Sequence, residues 1–183
     1  MIKLTVTRKL ALGFGGLALL MLMQAAINWG LAESARATSE DALNRGHQAA
    51  MLAHSIRYEG VQVWQWLTDI SATRGEPGFD DGFTEAETHA LAFRKLVAEL
   101  RDLRPDKANE LDDLSQSFEA FYDKGKWMAG QYIDGGTGPG NAAMTEFDSY
   151  GADISDRLEA LVTGFGDDAE ASLADANKAV LDS

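Results

Sequence analysis

The sequence predicts an all-α fold: an up-down-up-down four-helix bundle preceded by a single transmembrane helix that is continuous with the bundle's first helix. Three observations carry this. Residues 10–32 contain no charged side chain. Beyond them, apolar and small residues recur at steps of three, four and seven, the period of helix faces packed on other helices. The chain has only three prolines, and its 18 glycines gather in a few stretches, so helices are long and joints short.

Composition narrows the function classes before any motif is read. The absence of cysteine excludes disulfides, thiolate metal sites, thiol nucleophiles and covalently attached c-type haem. Net charge is −13, and it is uneven: Lys3, Arg8 and Lys9 are the only charges before Glu33, leaving 13 basic against 29 acidic side chains in residues 33–183. Such a surface repels nucleic acid and anionic lipid, so no nucleic-acid partner is expected.

The first element is the uncharged run. As a helix, residues 10–32 are about 34 Å long at about 1.5 Å per residue, against a hydrocarbon core of about 30 Å. Cations before the run and acids after it orient it by the positive-inside bias. Residues 1–9 are then cytoplasmic, 10–32 lie in the bilayer and 33–183 lie outside, which in a bacterium is a single-pass inner-membrane protein with its bulk in the periplasm. Trp29 falls near the outer interface. A cleaved secretory leader is the competing reading, with the basic start, residues 10–23 as apolar core and Ala35-Arg36-Ala37 as the small-x-small site. The helical period, which continues past Ala32 with no Gly or Pro break directly after Gly30, weighs against it. A soluble core helix is disfavoured by Gly13, Gly15 and Gly16 and by the lack of a polar face.

The first bundle helix places Ala35, Thr38, Ala42, Ala49, Leu52, Ile56, Val63, Leu67 and Ile70 on one seam and ends in TRGEPGFDDG. Thr84 and Glu87 form a capping box for a second helix with Ala86, Ala90, Phe93, Val97 and Leu100 inward. Arg104-Pro105-Asp106 is a tight break. A third helix carries Leu111, Leu114, Phe118, Phe121, Gly125, Met128 and Tyr132 inward and ends at DGGTGPG. Asn141 is expected to cap a fourth helix with Met144, Phe147, Gly151, Ile154, Leu158, Leu161 and Phe165 inward. Short joints make successive helices antiparallel neighbours, which sends both Gly-rich loops, 75–82 and 134–140, to the end far from the membrane. The first and fourth helices outrun the other two, so the stalk is expected to pair with a second copy as a homodimer.

Two seam positions carry charges, Arg45 and Glu59, which is costly unless they are paired or wet. One face round, His47, Met51, His54, Tyr58, Val61, Gln65 and Thr68 form a second stripe, with Arg57 and Gln62 alongside. Trp64 and Trp66 cannot face the same way, so at least one is expected near a surface.

A short basic start, LALGF leading into an apolar span, and a long helix entering a periplasmic bundle resemble the N-terminal half of bacterial methyl-accepting chemotaxis receptors. VQVWQWLTDISATRGEPGFDDGFTEAETHALAFRKLVAEL and GQYIDGGTGPGNAAMTEFD resemble the sensor regions of one subset of that family, and the resemblance covers nearly all of the chain. It implies a homodimeric receptor that binds a small extracellular solute and moves one helix relative to another by favouring one of two packings. A complete receptor of that family also has a second membrane helix, a linker module and a cytoplasmic coiled coil. Asp167, Asp168, Glu170, Asp175, Lys178 and Asp182 are incompatible with a second span near the end. The chain is therefore read as a truncated product, an excerpt, or a sensor working through a separate signalling protein.

The arginine motifs by which aspartate-type receptors hold ligands do not align here, so site candidates rest on chemistry alone. They are Arg45, His54 and Arg57 on the first helix, with Arg157 on the fourth as an opposite jaw, for an anionic small-molecule ligand, because guanidinium suits bidentate carboxylate recognition. A membrane-tethered structural or adaptor bundle is the plain alternative. Another is a haem-binding four-helix sensor with b-type haem on His54 and either His89 or Met128, although Met128 on a seam is also ordinary core filling. The leading reading needs no cofactor. No metal site is expected: His47 and His54 are about 10.5 Å apart along a helix, and the residues three before His47, His54 and His89 are Asn44, Met51 and Ala86 instead of glutamate. No enzymatic activity is expected, since GGTGPG joins two helices and lacks the lysine of a phosphate loop.

Overall fold

A computed structural model describes residues 6–181. They form four α-helices and one 3-10 turn, with no strand among the described residues: α1 Val6–Thr73, α2 Gly82–Leu103, the turn Pro105–Lys107, α3 Ala108–Gly135 and α4 Thr137–Leu181. The chain divides into two units, residues 1–43 with 172–183, and residues 44–171. Residues 1–5 of the expected cytoplasmic start, and Asp182, lie outside the described residues.

In the first unit every residue from Gly13 to Ser34 is exposed, including Leu19, Leu22 and Trp29. The segment belongs to the one described helix that is long and apolar enough to cross a membrane. Its exposed leucines are costly in water and comfortable in hydrocarbon, and a helix satisfies its own backbone there. The hydroxyls that follow bond back to their own helix: Ser34 donates to the Leu31 carbonyl and Thr38 to that of Ser34, each at 2.9 Å.

In the second unit, segments of all four helices contribute to one apolar core. The buried line on α1 is Gly46, Ala49, Ala53, Ile56, Gly60, Val63, Leu67 and Ile70. Ala49, Ile56, Val63, Leu67 and Ile70 are thus buried as expected, whereas the alternate seam positions expected at Arg45, Leu52 and Glu59 fall one residue later, at Gly46, Ala53 and Gly60. Leu52 is half-buried, while Thr38 and Ala42 are exposed. The reason is size. At residue 60, α1 comes so close to α4 that a β-carbon would lie 2.9 Å from Leu158 Cδ1, so glycine marks the contact where the heptad pattern looks for a large side chain. On α2 and α3 every residue expected inward is buried, with Tyr122 and Ala129 added. On α4 the inward set is also buried, except that Met144 is half-buried and Ala143 takes its place. Phe93 stacks on Phe118 with centroids 3.7 Å apart, and Phe121 on Phe147 at 5.0 Å. Trp64 meets Phe121 and Phe147 edge-on at 5.9 and 6.1 Å.

Two helix starts differ from expectation. α2 begins at Gly82, behind Asp81, with no side-chain cap. Glu87, instead of folding back on Thr84, accepts a hydrogen bond from the Tyr122 hydroxyl of α3. α4 begins at Thr137, so Asn141 lies inside it and its Oδ1 accepts from Tyr132 at 2.7 Å. Gly136 alone, at φ 74°, reverses the chain between α3 and α4, a conformation open to glycine. Pro139 then fits the first turn, where its missing N–H costs nothing.

The α2–α3 rim is closed by charge. Arg94 holds Glu119 bidentately at 2.7 and 2.9 Å, and Arg101 holds Asp112 at 2.9 Å. At the α2–α3 turn, Arg104 bonds Asp106 at 2.7 Å and Asp168 of α4 at 2.9 Å, with its guanidinium over Phe165. The Arg104 hydrogen bond holds the Asp106 carboxyl below the usual range. Burial, reinforced by Glu87, pushes the Tyr122 phenol above its ordinary pKa.

Two tests follow from this packing. A β-carbon at Gly140 would lie 2.3 Å from Tyr132 Cδ1, whereas nothing lies within 4 Å of one at Gly130. Gly140→Ala is therefore expected to cost about 1–3 kcal/mol by urea unfolding, and Gly130→Ala to be neutral or stabilising by about 0.5–1 kcal/mol. Because the Tyr122 pKa is raised, its contribution is full below the unfolded value of about 10 and disappears as pH rises through the folded value. Tyr122→Phe should cost about 1 kcal/mol at pH 7 and flatten the loss of stability above about pH 10 relative to wild type.

Candidate functional site

The period that buries one side of α1 leaves the other in solvent. His47, Met51, His54, Tyr58, Val61 and Gln65 are exposed, while Thr68, expected on the same stripe, is half-buried. Met51, Tyr58 and Val61 are 56%, 57% and 49% exposed, so apolar area lies beside two histidines.

α4 turns part of this stripe into a groove of about 380 Å³, lined by His54, Arg57, Tyr58 and Val61 from α1 and by Ser155, Leu158 and Glu159 from α4. That volume is in the range of small-molecule sites. Leu158, which is buried, supplies apolar wall, and the charged groups stand at the rim. Arg57 Nη1 lies 3.5 Å from Glu159 Oε2, with both side chains largely in water. A pair this long and exposed contributes at most about 1 kcal/mol, so a ligand carboxylate can replace Glu159 at little cost.

Of the four candidates, the structure brings His54 and Arg57 together in this groove. Arg45 is exposed and is not part of its lining. Arg157 is not part of it either. Its Nε donates to Asp153 at 2.8 Å, and that hydrogen bond raises its pKa. The cause is angular: at 3.6 residues per turn, position 157 is about 200° round the helix from 155 and 159. Ser155 and Glu159 are the α4 residues missed from the sequence. Their only signal was a spacing that flanks Leu158, and by type they read as ordinary surface.

The Glu59 charge is not bare. Its Oε2 lies 2.6 Å from His89 Nδ1, both side chains are mostly buried, and the Tyr58 ring stands edge-on to the imidazole at 6.3 Å. Of the residues weighed for haem, His89 is therefore engaged with Glu59, and Met128 is fully enclosed in the core. A second groove, of about 230 Å³ between α2 and α3, contains Arg94 and Arg101, but both guanidiniums are held by Glu119 and Asp112. The α1–α4 groove is the one whose cation is loosely held.

His89→Ala leaves the Glu59 carboxylate without its partner and is expected to cost about 1–3 kcal/mol. In a double-mutant cycle with Glu59→Gln, read by urea unfolding, a coupling of about 0.5–3 kcal/mol is expected. Additive single effects would mean that the pair does not join α1 to α2. No protein-family model, no curated protein and no solved structure matches this chain.

Proposed function

We propose that the chain is the membrane-anchored, extracytoplasmic sensor region of a chemotaxis-type signal transducer. Residues 10–32 lie in a bacterial inner membrane, residues 1–9 in the cytoplasm and the remainder in the periplasm. The observation that carries this reading is that one helix, α1, contains both the membrane-compatible segment and one wall of an open groove bearing His54 and Arg57. The groove suits a small anionic solute, with guanidinium for the charge, imidazole and Ser155 for hydrogen bonds, and Tyr58, Val61 and Leu158 for an apolar body. A solute that binds one packing of α1 against α4 better than another shifts their populations by its differential affinity alone.

An up-down-up-down four-helix bundle is part of the same reading. Cross-helix partners support it: between α2 and α3 they run from Arg94–Glu119 to Arg101–Asp112, and between α3 and α4 from Lys124–Glu146 to Tyr132–Asn141, numbers rising on one helix as they fall on the other. The exposed Met51, outside the groove lining, supports pairing with a second copy. Output then passes through a separate signalling protein or through further receptor modules.

The test is thermal unfolding of the full chain in detergent against a panel of small organic acids and amino acids. A ligand at 100 times its Kd adds about 2.7 kcal/mol of stability and raises the midpoint. Arg57→Ala should abolish that shift while leaving the ligand-free protein within about 0.5 kcal/mol of wild type. If no acid moves the midpoint, or if the shift survives Arg57→Ala, the chain is a tether or its site lies elsewhere.

A further inference from the structure

The α3–α4 rim holds a different arrangement. Trp127 and Tyr150 are left 41% and 39% exposed, and both rings face one ammonium: Lys124 Nζ lies 4.2 Å from the Trp127 centroid and 5.5 Å from that of Tyr150. The same Nζ donates to Glu146 Oε2 at 3.0 Å, and the Lys124 side chain is only 23% exposed. Two aromatic rings and a carboxylate converging on one positive centre form the chemistry that recognises organic cations. Lysine is a poor occupant of such a place. Its ammonium is strongly hydrated and carries three N–H donors, of which the structure shows one bonded to Glu146. A quaternary ammonium has no N–H to satisfy and is weakly hydrated, so it gains the same ring and carboxylate attraction with less lost to desolvation. Lys124 can vacate the place without moving its helix, because its charge rides on a flexible four-carbon stem.

The geometry points to a binding site for a compact quaternary or fully methylated ammonium ion, formed by Trp127, Tyr150 and Glu146, with Lys124 as the chain's own competitor. The site is separate from the α1–α4 groove and does not depend on an anionic ligand there.

The test is isothermal titration of tetramethylammonium and choline into the full chain in detergent, with circular dichroism to establish that each variant keeps its helices. Lys124→Ala should bind tetramethylammonium about tenfold or more tightly than wild type. Adding Trp127→Ala should abolish saturable binding, and adding Glu146→Gln should weaken it. If Lys124→Ala loses helical signal, Lys124→Gln, which keeps the stem without the charge, takes its place with the same expected gain. A folded Lys124 variant without saturable binding overturns the assignment, as does an affinity that is unchanged by removing Trp127.

Discussion

Residues 44–171 are organised by a layer of phenylalanines that no helix could bury alone. Phe93, Phe118, Phe121 and Phe147 come from three helices, are at most 1% exposed, and stack in pairs. Each contributes about 1.5–3 kcal/mol by leaving water, and each is rigid, so the helices stand at separations that the rings dictate. Glycine supplies the room. Gly125 lies against Phe147 and Leu67, and Gly60 against Leu158 and Phe93. Among the described residues, no charged residue is fully buried. The ionic groups are displaced to the seams between helices.

Those seams are not equivalent. Between α2 and α3, Arg94 and Arg101 each hold a carboxylate at hydrogen-bond distance, and Arg104 carries the same pattern across to α4. Such pairs lock geometry and hold each cation against a carboxylate of the next helix. In the groove between α1 and α4 the long Arg57–Glu159 pair joins the two helices, beside apolar area that faces water. Between α3 and α4 the cation sits on aromatic faces. Closed rims act on stability. A long, exposed internal pair such as Arg57–Glu159 is one that an outside carboxylate can replace at little cost.

Legibility in the sequence followed side-chain size. The inward faces of α2 and α3 were readable because large apolar residues mark them. On α1, Ala49, Ile56, Val63, Leu67 and Ile70 were readable, but the alternate positions were read one residue early because Gly46, Ala53 and Gly60 hold them, and periodicity registers hydrophobic mass while overlooking small residues. Both local capping expectations gave way to distant partners. Tyr122 takes Glu87 from 35 residues away, and Tyr132 takes Asn141, since a buried phenol must find an acceptor. The site was half readable: His54 and Arg57 could be nominated by type and spacing, whereas Ser155 and Glu159 have no distinguishing mark until α4 lies against α1.

The sequence by itself determined the all-α class, a segment apolar and long enough for a bilayer, and most inward-facing positions, because these depend on hydropathy and on a period counted along one chain. Only the tertiary structure decided which charges meet. Arg57 finds Glu159, Glu59 finds His89, and Lys124 settles among Trp127, Tyr150 and Glu146. Each outcome depends on the rotation and axial stagger of one helix against another. Those are set by the summed packing of rings and glycines across the core, a quantity that no local stretch of residues contains.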